Sequence, residues 1–171
     1  MTSEELFDVV DENDCVVAVM TRREVHRQKL LHRAVHIFVF RDDGRMLIHF
    51  RHPDKEEFPS VWTSSASGHV STGETYRQSA ERELTEELGI SAPIEFAARV
   101  AACPETSHEF TELFVARSSD EIRFDPNEIT DIRWVTLDEV RNEVNERPEL
   151  FSPAFIVLLT AFLGVPSKGV S

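Results

Sequence analysis

Apolar runs and turn signals alternate through the first third of the chain. Residues 6–10 and 15–20 flank the polar stretch Asp11-Glu12-Asn13-Asp14, which predicts a β-hairpin over about residues 5–20. Residues 21–31 carry many long polar side chains and predict a helical turn or loop. Residues 34–40, rich in Val, Ile and Phe, predict a central strand. The turn Asp42-Asp43-Gly44 then returns the chain as a second strand over residues 46–50. Residues 51–72 hold Pro53, Pro59 and the small-residue run Ser64-Ser65-Ala66-Ser67-Gly68, and so predict a long loop. Loops of that length in compact domains tend to carry function.

The clearest helix covers residues 75–88. Thr75 and Gln78 have the spacing of a capping box, Gly89 suits a left-handed C-terminal cap, and Tyr76, Ala80, Leu84 and Leu88 form a buried stripe. Strands follow over residues 94–102, 111–117 and 132–135, with residues 125–130 as a polar connection. Residues 137–144 and 153–162 read as closing helices. The order predicts an α/β protein, a mixed sheet with helices on both faces, and the lack of repeats or linkers predicts one domain over residues 1–171.

The formal net charge of -13 weighs against a surface for nucleic acid polymers, which need clustered Lys and Arg. An acidic protein that handles phosphates needs a cation. Cys15 and Cys103 stand apart without CxxC or His-rich company, so no disulfide scaffold or zinc knuckle is expected, and a reducing cytoplasm fits. The acidic start Met1-Thr2-Ser3-Glu4-Glu5 is unlike a signal peptide, and the apolar run at residues 155–163 is too short to span a bilayer; no membrane is expected.

Glu83, Glu86 and Glu87 of the predicted helix fall within a wedge of roughly 100°, on one face expected to project away from the core. Taken alone, such a face reads as solvated surface. Three like charges repel, however, and a hard divalent cation such as Mg²⁺ would relieve them while binding substrate phosphates. It would polarise phosphorus and lower the pKa of a coordinated water, with an unligated carboxylate as proton acceptor.

The wider pattern is Gly68-x5-Glu74-x7-Arg82-Glu83-Leu84-x-Glu86-Glu87-x-Gly89-Ile90, which resembles the Nudix box at every defined position over residues 68–90. The resemblance implies a Nudix fold, with the sheet sandwiched between helices, and Mg²⁺ or Mn²⁺ as cofactor. By motif position it implies Glu83 and Glu87 as principal metal ligands, Glu86 as a further ligand and Gly68 as a backbone-carbonyl ligand. Arg82 would orient the carboxylates, and Glu74 would have a structural role.

The flank Trp62-Thr63-Ser64-Ser65-Ala66-Ser67-Gly68-His69, with Arg51 and Lys55 before it, resembles type 1 isopentenyl diphosphate isomerases. Those enzymes have an essential acid/base Cys where this chain has Ser67, and they degrade the Nudix box that this chain keeps. The likeness implies Arg51 and Lys55 as diphosphate clamps, with Arg23 and Arg33 as weaker candidates. It also implies a second metal site from His26, His32, His69 and Glu109, with Ser107 in place of a further carboxylate. Surface or hydrogen-bonded histidines are the alternative, and Glu109 has a second candidate role as general base. Trp62 is expected to pack rather than to stack on substrate.

The expected function is Mg²⁺-dependent hydrolysis of a diphosphate linkage in a small phosphorylated metabolite. The alternatives are isopentenyl diphosphate isomerisation and a silent nucleotide-binding module. The group carried by the diphosphate stays open, and the hairpin and the C-terminal helix are candidate homodimer surfaces.

Overall fold

In the computed structural model, residues 4–164 are described. The hairpin forms from β1 (Leu6–Val10) and β2 (Val16–Thr21). Its polar turn is tightened by Asp11, whose Oδ1 accepts from the Asn13 and Cys15 backbone N–H groups. Residues 22–28 form the short helix α1 (Arg22–Gln28), with Thr21 as N-cap and Lys29 in the left-handed conformation at its end. Phe7, Val9 and Val25 make a small core between hairpin and helix.

The main sheet has seven strands: β3 (His32–Phe40), β4 (Met46–Arg51), β5 (Trp62–Thr63), β6 (Ala66–His69), β7 (Ile94–Val100), β8 (Glu109–Arg117) and β9 (Ile129–Val135). β3 and β8 pair in parallel over nine residues, and the other pairings are antiparallel. Alternation along β3 sends Val35, Ile37 and Val39 to one face and Phe38 and Phe40 to the other. The first face packs on α2 (Tyr76–Leu88) through Ala80, Leu84 and Leu88. The second packs on α3 (Leu137–Glu146) and α4 (Pro153–Gly164) through Val140, Val144, Phe155, Leu158 and Leu159. The mixed sheet between helices is the expected α/β arrangement.

Two segments depart from expectation. Residues 51–72 are not all loop, because β5 pairs with β4 and β6 pairs with β3. β3 and β4 share only the pair Phe40↔Met46 and then separate, and the two short strands fill the widening gap. Ser64 and Ser65, both fully buried, line this wedge: Ser65 Oγ donates to the Leu47 carbonyl and accepts from the Val39 N–H at 2.8 Å. Residues 125–130 are also not purely connection, since β9 begins at Ile129, which is fully buried. Outside the shared Phe40↔Met46 pair the wedge opens into a cleft beside Thr63, Ser67, His36 and Arg51.

Candidate active site

The helix that carries the acidic residues is fixed at both ends by its own sequence. Thr75 Oγ1 accepts from the Gln78 N–H at 3.1 Å, and Gln78 Oε1 accepts from the Thr75 N–H at 2.9 Å. Gly89 closes α2 at φ 67°, and its N–H donates to the Thr85 carbonyl at 3.0 Å. The buried stripe holds except at Tyr76, which is exposed enough to reach Asp14 with its hydroxyl at 2.8 Å.

Glu83, Glu86 and Glu87 line the same cleft wall. The expectation that their face projects away from the core is corrected: Glu87 is only 6% exposed, Glu83 is largely covered, and Glu86 alone stands in solvent. The cause is β6, which lies against the start of this face. Ser67 donates its backbone N–H to Glu87 Oε1 at 2.7 Å, and a Cβ on Gly68 would fall 2.2 Å from Glu83 Cδ. Only a residue without a side chain lets Glu83 lie over the strand.

Arg82 organises this wall. It donates to both oxygens of Glu74 at 2.9 Å, to Glu83 Oε1 at 2.8 Å, to Glu86 Oε2 at 3.1 Å and to the His69 carbonyl at 3.2 Å. Glu74 in turn accepts from the Ser71 N–H at 3.0 Å, so it braces the loop before the helix. One guanidinium does not neutralise the cluster. Burial pushes the Glu83 carboxyl up to about 7 against the pull of Arg82, with Glu86 adding repulsion. Burial and the charge of Glu83 raise Glu87 well above the usual carboxylate range. Hard oxygen donors that are costly to ionise without a counter-charge suit a divalent cation.

Arg51 and Lys55 also line the cleft, and both are engaged with other groups. Arg51 Nε donates to the Phe58 carbonyl at 3.0 Å and Nη2 to the Glu57 carbonyl at 2.8 Å, while Lys55 pairs with Glu128. The bonds of Arg51 leave Nη1 without a protein acceptor among the described residues. Of the weaker candidates, Arg33 is taken by Asp14 at 2.7 Å and Arg23 stands exposed near Glu4 at 3.5 Å. Arg22 lines the cleft instead. Asp125 and Glu128, from the stretch read as a connection, line it too, as does the exposed ring of Phe58 at φ 46°. No spacing in the sequence signals these residues, because separate loops deliver them. Trp62 packs edge-on against Phe50, with ring centroids 5.1 Å apart, and its packing role agrees with expectation.

His26, His32, His69 and Glu109 converge, each offering a ligand atom within 4.8 Å of the others. Strand register does this: His32 pairs with Glu109 across β3 and β8, and Ala34 pairs with His69 across β3 and β6. Glu109 Oε1 lies 2.8 Å from His69 Nε2 and 3.2 Å from His32 Nε2. His32 Nδ1 donates to the Leu30 carbonyl at 2.8 Å, so Nε2 is the nitrogen whose lone pair a cation would take; without one, Glu109 raises the imidazole against its burial and Nε2 faces the carboxylate as a donor. The Nε2 atoms of His26 and His32 are sealed from solvent without a well-aligned hydrogen-bond partner. Burial would raise the Glu109 carboxyl, yet His69 and His32 hold it well below the usual range. Orphaned imidazole nitrogens beside an ionised carboxylate are a donor set that fits a transition-metal cation. Ser107, at φ 55°, lines the cleft next to this cluster and adds no carboxylate to it.

Residues 30–155 match the family model for the NUDIX domain. The chain belongs to the Nudix family. Among its Nudix relatives, the isopentenyl-diphosphate Delta-isomerase of Serratia proteamaculans is 31% identical over 161 residues, covering 91% of this chain and 90% of that protein. The prenyl-diphosphate phosphatase of Methanosarcina mazei is 34% identical over 153 residues, covering 87% of this chain and 89% of that protein. DR0079 from Deinococcus radiodurans, a solved structure, superposes with a TM-score of 0.83 at 27% identity, covering 92% of this chain and 99% of that one. The expected Nudix fold and the likeness to the isomerase subgroup both hold. Among the described residues of this Nudix protein, no helix is long and apolar enough to cross a membrane.

Proposed function

We propose that this Nudix protein is a divalent-metal-dependent hydrolase of a small-molecule diphosphate, with isoprenoid diphosphates the first substrates to test. The observation that carries the reading is the joint presence of three glutamates on one cleft wall and a serine, Ser67, at the position of the isomerase acid/base cysteine. A serine hydroxyl is a far poorer proton donor and acceptor near neutral pH than a thiol, which disfavours alkene chemistry at that position.

In this reading Glu83, Glu86 and Glu87 hold the cation with the Gly68 carbonyl, and Arg82 fixes their orientation. A divalent cation bound there would supply charge neutralisation at the phosphate oxygens and activation of water. Arg51 Nη1 and Lys55 receive the diphosphate. Glu109, held between His32 and His69, serves the imidazole cluster, where Mn²⁺ or a similar ion would have three nitrogens and one carboxylate. The domain is taken as one unit over residues 1–171.

Isomerisation of isopentenyl diphosphate is the second reading, favoured by the imidazole cluster and by the Serratia relative. The test is a Mg²⁺-dependent screen of isoprenoid diphosphates, nucleoside diphosphates and nucleotide sugars, with phosphate-containing products and alkene isomers both followed. The reading expects phosphate or phosphomonoester release, reduced about 100-fold or more in Glu83→Gln and in Glu87→Gln. An isomerised alkene with the diphosphate intact supports the second reading and sinks the first.

A further inference from the structure

Alternation along β3 places His32, Ala34, His36, Phe38 and Phe40 on one face. Phe38 and Phe40 lie under α4, and His32 joins the imidazole cluster. His36 sits between these regions and lines the cleft, with Ser67 beside it in register on β6 and Leu113 on β8. Nothing in the Nudix box or in the imidazole cluster accounts for it.

The residue is only 6% exposed, so its polar atoms need partners. Nδ1 lies 2.7 Å from Ser64 Oγ, which is fully buried. That contact is the hydroxyl's sole hydrogen bond among the described residues, so the Ser64 O–H donates to Nδ1 and the ring proton resides on Nε2. Nε2 has no protein partner among the described residues, and it is not one of the nitrogens sealed from solvent. A fixed N–H donor is therefore left without a protein acceptor on a residue that lines the cleft. Burial, with Arg51 and His69 adding to it and Glu109 opposing, pushes the imidazole down to about 4, so the ring is neutral near pH 7.

We propose that His36 is a substrate-binding residue whose Nε2–H donates to a non-bridging oxygen of the bound diphosphate, with Ser64 holding the ring in that tautomer. The inference rests on the diphosphate reading of the cleft and adds a residue to it. A neutral donor in the cleft binds phosphate oxygens without competing for the carboxylates that would hold the cation.

The test uses the whole chain with Mg²⁺ and methylenediphosphonate, a diphosphate mimic that is not hydrolysed, in isothermal titration. Wild type is compared with His36→Phe, His36→Gln and His36→Asn. Losing one hydrogen bond to a charged acceptor should weaken binding about tenfold in His36→Phe. Gln, whose amide nitrogen reaches the position of Nε2, should stay within about threefold of wild type, and the shorter Asn should resemble Phe. With a turned-over substrate, KM should follow the same order while kcat changes less. If Phe does not fold, the comparison of Gln with Asn decides.

Wild-type affinity in His36→Phe, or equal loss in Gln and Asn, would overturn the proposal. Binding of the diphosphonate needs no turnover, so the two readings fail separately. His36-dependent binding without hydrolysis of any substrate leaves this inference standing and removes the hydrolase. Hydrolysis whose KM ignores His36 does the reverse.

Discussion

Gly68 shows how one residue couples backbone geometry to chemistry. A methyl group there would overlap the Glu83 carboxyl at 2.2 Å, and because that carboxyl ends a flexible side chain, it would swing away while the fold persists. Gly68→Ala is therefore expected to melt within a few degrees of wild type but to need about tenfold more Mg²⁺ for half-maximal activity. An unchanged Mg²⁺ requirement would show that Glu83 does not serve the cation. The box was legible in the sequence because Arg82 and the glutamates lie on one helix and Gly68 on the short strand that leads into it, so that spacing along the chain translates directly into spacing in space. Arg22, His36, Asp125 and Glu128 were not legible, because strand register and separate loops bring them to the cleft.

Among the elements, α2 was the most readable and β5 and β6 the least. The helix declares itself through a capping box, a period and a terminal glycine. The two strands are only two and four residues long, include Gly68, and occupy a wedge that exists only because β3 and β4 separate. No alternation of apolar and polar positions could mark them. The caps also have a measurable consequence. Thr75→Ala removes the acceptor for the Gln78 N–H and should lower stability by about 1 kcal/mol, read from denaturant midpoints at constant slope. Since α2 is anchored along its length by Ala80, Leu84 and Leu88, kcat/KM at 25 °C should change little. A large kinetic loss without a stability loss would mean that the first turn of α2 moves during the reaction.

For the whole molecule, Asp14 is the junction. From the hairpin turn its carboxylate accepts from Arg33 of β3 at 2.7 Å, Tyr76 of α2 at 2.8 Å and Arg99 of β7 at 2.7 Å. The hairpin and α1 lie before the matched family region, yet they deliver Phe7 and Arg22 to the cleft and His26 to the imidazole cluster, so their docking shapes both. The hairpin itself was legible; its docking through one aspartate was not, since the three partners lie 19, 62 and 85 residues away. Burial would raise the Asp14 pKa, but these hydrogen bonds win and leave it lowered. Its folded-state pKa thus lies below the unfolded one, so its contribution is complete above about pH 4 and is lost as pH falls through the lowered value. Asp14→Asn should cost about 2 kcal/mol at pH 7, and the gap from wild type should narrow below about pH 4 in urea titrations. A gap independent of pH would assign the loss to packing.

Which bond the protein breaks is read by phosphorus NMR of the whole chain with Mg²⁺ and an isoprenoid diphosphate in ¹⁸O-enriched water. Hydrolysis gives loss of the diphosphate resonances and two new monophosphate signals, one of them carrying a single ¹⁸O from the attacking water, with no such change in Glu83→Gln. Diphosphate resonances that persist while the alkene protons rearrange would contradict it.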